Sequence, residues 1–125
     1  MTREHFEELI EQAFNSLPTI FKTRIENVRI VVEDVPDKND YRSVRAQQKN
    51  LLGLYQGIPL TKRDTSYGMY PVTPDKITLY QKNIEAMCKT DEEVQHQLAL
   101  TLFHELGHYF GMKETEIRKA MQDFV

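Results

Sequence analysis

Apolar residues recur with a helical period at the start of the chain. The positions that fall on one face are Phe6, Leu9, Ile10, Ala13, Phe14 and Leu17. Because such a stripe is typical of a helix packed on a core, we predict an amphipathic helix over residues 3–17. Pro18 follows directly, and since proline cannot continue a helix, it marks the end.

Three short segments have instead the composition of β-strands. Residues 28–32 consist largely of β-branched side chains, and residues 77–80 combine β-branched and aromatic ones. Residues 51–55 are apolar apart from Gly53 and are followed by Gly57. Segments of this kind between turn residues predict strands.

The rest of the chain divides into loops and short helices. Polar residues 36–50 predict a loop or a short helix, and the glycine- and proline-containing segment 61–74 predicts a connecting loop or, alternatively, a cover over a cleft. Short helices are predicted at 83–87 and 115–122. With the strands, these elements indicate an α+β fold in a single domain over residues 1–125.

The longest predicted helix begins after Thr90. Thr90 followed three residues later by Glu93 is the capping-box pattern that opens helices. The apolar positions that continue from it are Val94, Leu98, Leu102, Leu106 and Phe110. Gly111 then ends the pattern, so the helix is predicted over about residues 91–110.

This helix carries the sequence H-E-x-x-H-x-x-G-x-x-E from His104 to Glu114. On a helix, His104 and His108 lie one turn apart on the same face, so both rings can reach one Zn²⁺ while Glu105 addresses a bound water. The alternative is that both are ordinary interior histidines bonded to backbone. The glutamate between them and Gly111 after them favour the metal site.

A catalytic zinc ion has three protein ligands and keeps a fourth position for water, so the histidine pair needs one more ligand. Glu114 is the predicted third ligand, because Gly111 would allow a positive-φ turn that returns a carboxylate to the metal. Glu116 is the second candidate for the third ligand. The remaining alternative is that Glu114 is a solvated side chain. Ligands must be deprotonated, so zinc binding should weaken as pH falls through the histidine range near about 6.5.

Composition excludes several other classes of protein. Hydrophobic residues make up 40% and charged residues 28%, which is typical of a globular domain. A net charge of -3 gives no basic surface for nucleic acid, and Arg42, Arg45 and Lys49 are interpreted as a solvated loop. There is no apolar run of membrane-spanning length. A single cysteine, Cys88, and a polar N-terminus predict a cytoplasmic protein, and without a second cysteine Cys88 is not expected to bind zinc.

Four segments carry a family resemblance. They are HELGHYFG at 104–111, LLGLY at 51–55, IPLT at 58–61 and DKITLY at 75–80. Through them the chain resembles the small bacterial zincin-like metallopeptidase family. The resemblance implies a minimal zincin-like fold, with a small mixed β-sheet of about four strands packed with helices and little of a second subdomain. It also implies a peptide or protein substrate that pairs with an edge strand. The family usually has Asp where this chain has Glu114, one methylene longer.

Two functions therefore remain open. The first is a zinc-dependent metallopeptidase in which Glu105, as general base, accepts a proton from water and passes it to the leaving amine. The second is a non-catalytic zincin-fold module that binds metal or a partner without cutting it. Glu105 favours the enzyme, because a scaffold does not need a base beside the ligands. Tyr55, Tyr70, Tyr80 and Tyr109 are candidate oxyanion donors, although aromatic residues at these spacings more often belong to the core.

Overall fold

The computed structural model describes residues 1–43, 51–57 and 75–124, which form six helices and a three-stranded sheet. In chain order the elements are α1 (Arg3–Asn15), α2 (Thr19–Thr23), β1 (Val28–Glu33), α3 (Lys38–Ser43), β2 (Gly53–Gln56), β3 (Asp75–Tyr80), α4 (Gln81–Ala86), α5 (Asp91–Tyr109) and α6 (Glu114–Phe124). The predicted loop at 61–74, with Tyr70, lies outside the described residues, and so do Arg45 and Lys49. No helix in the described part of the chain is long and apolar enough to cross a membrane.

The sheet is mixed, with β3 in the middle and the order β1-β3-β2. β1 runs parallel to β3, with Val28 opposite Asp75, and β2 runs antiparallel to it, with Gly53 opposite Leu79. The predicted α+β class and mixed sheet are confirmed, with three strands in the described residues where about four were expected. β2 is therefore an edge strand of the described sheet.

The N-terminal helix is as predicted but ends slightly earlier. α1 buries Phe6, Leu9, Ile10 and Ala13 and packs against α5. It ends at Asn15, and the next residue, a serine, closes the helix with its backbone N–H and its hydroxyl. α2 was not predicted, because five residues are too few for a helical period to be recognised.

α5 is the central helix of the domain. Thr90 Oγ1 accepts a hydrogen bond from the N–H of Glu93 at 3.1 Å, and the Glu93 carboxylate accepts one from the N–H of Lys89 at 2.6 Å. The predicted start is thus confirmed. The buried residues of α5 are Val94, Leu98, Ala99, Thr101, Leu102, Phe103, Glu105, Leu106, Gly107 and Tyr109. They occupy several faces because α1, α4, α6 and β2 all pack against this helix.

A tight turn joins α5 to α6. Gly111 has φ of 79°, the left-handed conformation that favours glycine, so the predicted positive-φ turn is confirmed. The N–H of Met112 donates to the carbonyl of Gly107 at 2.9 Å, which satisfies one of the last carbonyls of α5. α6 then starts at Glu114, close to the end of α5 where the motif lies.

Candidate metal centre

The two motif histidines form a close pair on α5. The ring centroids of His104 and His108 are 4.7 Å apart, and the rings are nearly perpendicular at 89°. Their side chains are 26% and 37% exposed, so both rings reach the surface, whereas the three residues between them are buried. This is the arrangement that the i, i+4 spacing predicts.

Glu114, at the start of α6, places its carboxylate against both rings. Its Oε1 lies 2.8 Å from Nε2 of His104, and its Oε2 lies 3.5 Å from Nε2 of His108. Two ligand atoms bound tetrahedrally to one zinc ion at 2.0–2.1 Å are about 3.3 Å apart. The two separations from Glu114 lie on either side of that value, so each histidine–Glu114 pair could share a zinc ion with small adjustments.

Glu105 contacts the other nitrogen of His104. Its Oε2 is 2.7 Å from Nδ1 of His104, and its Oε1 accepts a hydrogen bond from the backbone N–H of Tyr55 at 2.9 Å. The residue is only 7% exposed. A carboxylate on Nδ1 holds a histidine with Nε2 free for a metal, as in many zinc sites.

Two carboxylates therefore compete for the place of third ligand. His104, Glu105 and His108 can each offer one ligand atom with all three atoms within 4.8 Å of one another, which alone would suggest Glu105. Glu114, however, faces the Nε2 atoms of both rings, whereas Glu105 is bound to Nδ1 of one ring and to β2. The geometry thus favours Glu114 as ligand, with Glu105 beside the site.

A cleft of about 340 Å³ opens beside this site between β2, α5 and α6. His104, Glu105 and Glu114 line it, and Gly53 forms part of its wall on the sheet side. A Cβ at Gly53 would lie 2.7 Å from Cγ2 of Thr101, so only glycine allows β2 to lie this close to α5. The edge strand and the motif helix therefore border the same cleft.

Comparison with known proteins identifies the family of this chain. The family model described as zincin-like metallopeptidase matches residues 25–122, which is most of the chain and includes the whole site. The chain belongs to this family. A conserved hypothetical protein from Thermus thermophilus has a similar fold, with a TM-score of 0.54 and 22% sequence identity over 88% of this chain and 94% of that one. None of the curated proteins matches the chain.

The charges of this zincin-like site are strongly coupled in the absence of metal. The hydrogen bond with Glu105 is the main cause that raises the pKa of His104 to about 9, against the opposing effect of burial. Burial opposes ionisation of Glu114, but the hydrogen bond and charge of His104 outweigh it and lower the pKa of this carboxyl. A protonated His104 therefore binds both carboxylates, and a metal ion must displace its Nε2 proton.

Two of the three candidate oxyanion hydroxyls that the structure describes, those of Tyr55 and Tyr109, have structural partners. The Tyr55 hydroxyl donates to Oδ2 of Asp75 at 2.8 Å, and the Tyr109 hydroxyl donates to the carbonyl of Glu26 at 2.9 Å. Tyr80 is 0% exposed and packs with the smaller apolar cluster beneath β2. Tyr55 and Tyr109 thus use their hydroxyls to hold the zincin-like fold together.

Sequence reasoning missed two groups at the site. Arg118 lines it from α6, and the spacing of four residues from Glu114 was a signal that the two share a helix face. The backbone N–H of Tyr55 contacts Glu105, and no local pattern marks that contact, because it joins residues 50 positions apart.

Proposed function

We propose that this chain is a zinc-dependent peptidase in which His104, His108 and Glu114 bind the metal and Glu105 is the general base. The observation that carries the proposal is the carboxylate of Glu114, which lies 2.8 Å and 3.5 Å from the Nε2 atoms of the two histidines. When bound, zinc would polarise a carbonyl and make water nucleophilic at neutral pH.

Glu105 is well placed for proton transfer. Its carboxylate lines the cleft, and its two oxygens have about four acceptor sites, of which the contacts with His104 and Tyr55 use two. A water in the cleft can therefore donate to it while these contacts persist. The carboxylate would take the proton of the attacking water and return it to the leaving amine.

We propose further that the substrate is an extended peptide segment that pairs with β2. The N–H of Tyr55 points away from β3, towards Glu105, and residues two apart on a strand direct their backbone groups to the same side. Gly53 therefore offers its N–H and carbonyl to the cleft. Pairing with backbone groups would give affinity with little dependence on the sequence of the substrate.

A non-catalytic metal- or partner-binding module is the second candidate. The contacts of Glu105 with His104 and with Tyr55 favour it, because they give the carboxylate a structural role that a scaffold also needs. The two functions make the same demands on zinc binding. They differ in whether peptide bonds are cleaved in a Glu105-dependent way.

The deciding experiment is the substitution Glu105→Gln. Glutamine can still accept the hydrogen bond from Tyr55 and keeps nearly the same size, but it cannot take a proton. The zinc-loaded variant should match wild type in zinc content and thermal unfolding, while hydrolysis should fall by about two orders of magnitude or more. Substrates are denatured proteins and a mixed-sequence peptide library, with cleavage read by mass spectrometry.

Glu116→Gln is the matched control. The Glu116 carboxylate accepts a hydrogen bond from the N–H of Lys113 at the start of α6, a role that glutamine can keep, so activity should remain. If zinc-loaded wild type cleaves nothing, or cleaves no faster than Glu105→Gln, the peptidase is refuted and the binding module takes its place.

A further inference from the structure

Arg118 contributes a positive charge to the cleft. It lies on α6, four residues after Glu114, and its side chain is 74% exposed. Its Nε is 3.4 Å from Oε1 of Glu114, which is long for a charged hydrogen bond. The carboxylate of Glu114 is instead closest to His104, at 2.8 Å.

The guanidinium is therefore only weakly engaged within the protein. An exposed ion pair at this helical spacing contributes little to stability. Arginine has five N–H donors, and in residues 1–43, 51–57 and 75–124 the recorded contact of Arg118 uses Nε alone. The remaining donors suit a carboxylate, which can accept two parallel hydrogen bonds from one guanidinium.

The other side chains of the cleft indicate what would accompany that carboxylate. Leu52, Leu100 and Met121 line the same cleft as Arg118 and give it an apolar part. A ligand that fills it would thus combine an apolar portion with a negative charge. A peptide that carries a carboxylate next to an apolar residue meets both requirements.

We propose that Arg118 is a specificity-determining residue that binds a carboxylate of the peptide in the cleft, an inference that rests on the proposed peptide binding. The carboxylate can come from an Asp or Glu side chain or from the C-terminus of the peptide. Both sources offer the same planar pair of oxygens to the guanidinium. Arg118 acts on substrate choice and leaves the chemistry to the residues of the motif.

The test measures binding, so that it does not depend on cleavage. The protein is zinc-loaded Glu105→Gln, and the probes are four fluorescent pools of mixed-sequence apolar decapeptides. The pools contain either Glu or Gln at one varied position, each with either a free or an amidated C-terminus. Dissociation constants are measured by fluorescence anisotropy, and Arg118→Gln and Lys119→Gln are each made in the same background.

Pools with at least one carboxylate should bind about tenfold more tightly than the Gln pool with an amidated terminus. Arg118→Gln should remove that preference, while Lys119→Gln, which changes an exposed neighbour that does not line the cleft, should retain it. Comparison of the two single-carboxylate pools identifies the source of the charge. Equal binding of all pools, no binding of any pool, or equal effects of the two substitutions would overturn the proposal. Failure of the peptidase itself would appear separately, as absence of cleavage by wild type.

Discussion

Replacing Gly107 by alanine should disturb the packing of α6 on α5 and weaken the metal site at the same time. A Cβ at Gly107 would lie 2.7 Å from Cγ1 and 2.8 Å from Cδ1 of Ile117, which is 0% exposed. Carbon atoms pack at about 3.5 Å, so the overlap is about 0.8 Å. Because Ile117 is enclosed, the added methyl group must push α6 away or distort both helices.

The expected energies come from two opposing effects. Alanine improves helix propensity over glycine by about 1 kcal/mol, whereas overpacking a core costs about 1–3 kcal/mol. Gly107→Ala should therefore change the free energy of unfolding by between about zero and 2 kcal/mol in the destabilising direction. After Ile117→Ala removes the overlapping atoms, the same change should stabilise by about 1 kcal/mol. The difference between the two backgrounds, about 1–3 kcal/mol, isolates the overlap.

The assay is urea unfolding of the four metal-free proteins of this cycle. Ile117→Ala alone should cost about 2–5 kcal/mol, so unfolding is measured near about 15 °C, where domains are generally most stable. Zinc affinity is measured on the same proteins. A shift of about 0.8 Å exceeds the tolerance of about 0.2 Å for metal–ligand distances, so displacement of Glu114 by Gly107→Ala should lower affinity by about tenfold. If Gly107→Ala has the same effect in both backgrounds, the overlap does not exist.

Three further predictions concern the ligands themselves. Glu114→Ala should lower zinc affinity by about tenfold or more, while Glu116→Gln should leave it nearly unchanged; equal zinc contents by elemental analysis would contradict the assignment of Glu114. Because the pKa of His104 is raised to about 9 without metal, zinc must displace a proton, and its apparent affinity should rise about tenfold per pH unit from about 6.5 to 9. The same raised pKa means that the contribution of His104 to stability in the metal-free protein is complete below about 6.5 and is lost as pH rises through about 9. Competition with a chelator measures the zinc affinity at each pH. In Glu105→Gln the rise in zinc affinity should occur at lower pH. A zinc affinity that does not change with pH above about 6.5 would refute the raised pKa of His104.

Local signals made the helix that carries the motif predictable. Thr90 and Glu93 act at the start of α5, and the left-handed Gly111 acts at its end, within one turn of the positions they control. The i, i+4 spacing then places His104 and His108 on one face without any information from the rest of the fold. Such features depend on neighbouring residues alone, so the sequence was sufficient for them.

Contacts between distant segments were not predictable in the same way. The contact of Glu105 with Tyr55 depends on how β2 lies against α5, and Gly53 permits that close approach only because of where Thr101 falls. The main cause of the raised pKa of His104 is the hydrogen bond with its neighbour Glu105, and the contact with Tyr55 holds that carboxylate in place. The sequence-based expectation of about 6.5 assumed an isolated histidine.

The layout of the site explains how a small domain can hold it. The predicted ligands lie within eleven successive positions, from His104 to Glu114, so the turn at Gly111 closes the set at little cost in chain entropy. What such a short segment cannot supply is a fixed orientation relative to the cleft. That comes from two contacts, the long-range one of Glu105 with Tyr55 on β2, and that of Gly107 with Ile117 across the turn to α6. The first fixes the motif helix against the edge strand. The second sets the distance between the histidine pair and the carboxylate of Glu114. Changes at Gly107 should therefore act on the metal, whereas changes at the edge strand should act on the substrate.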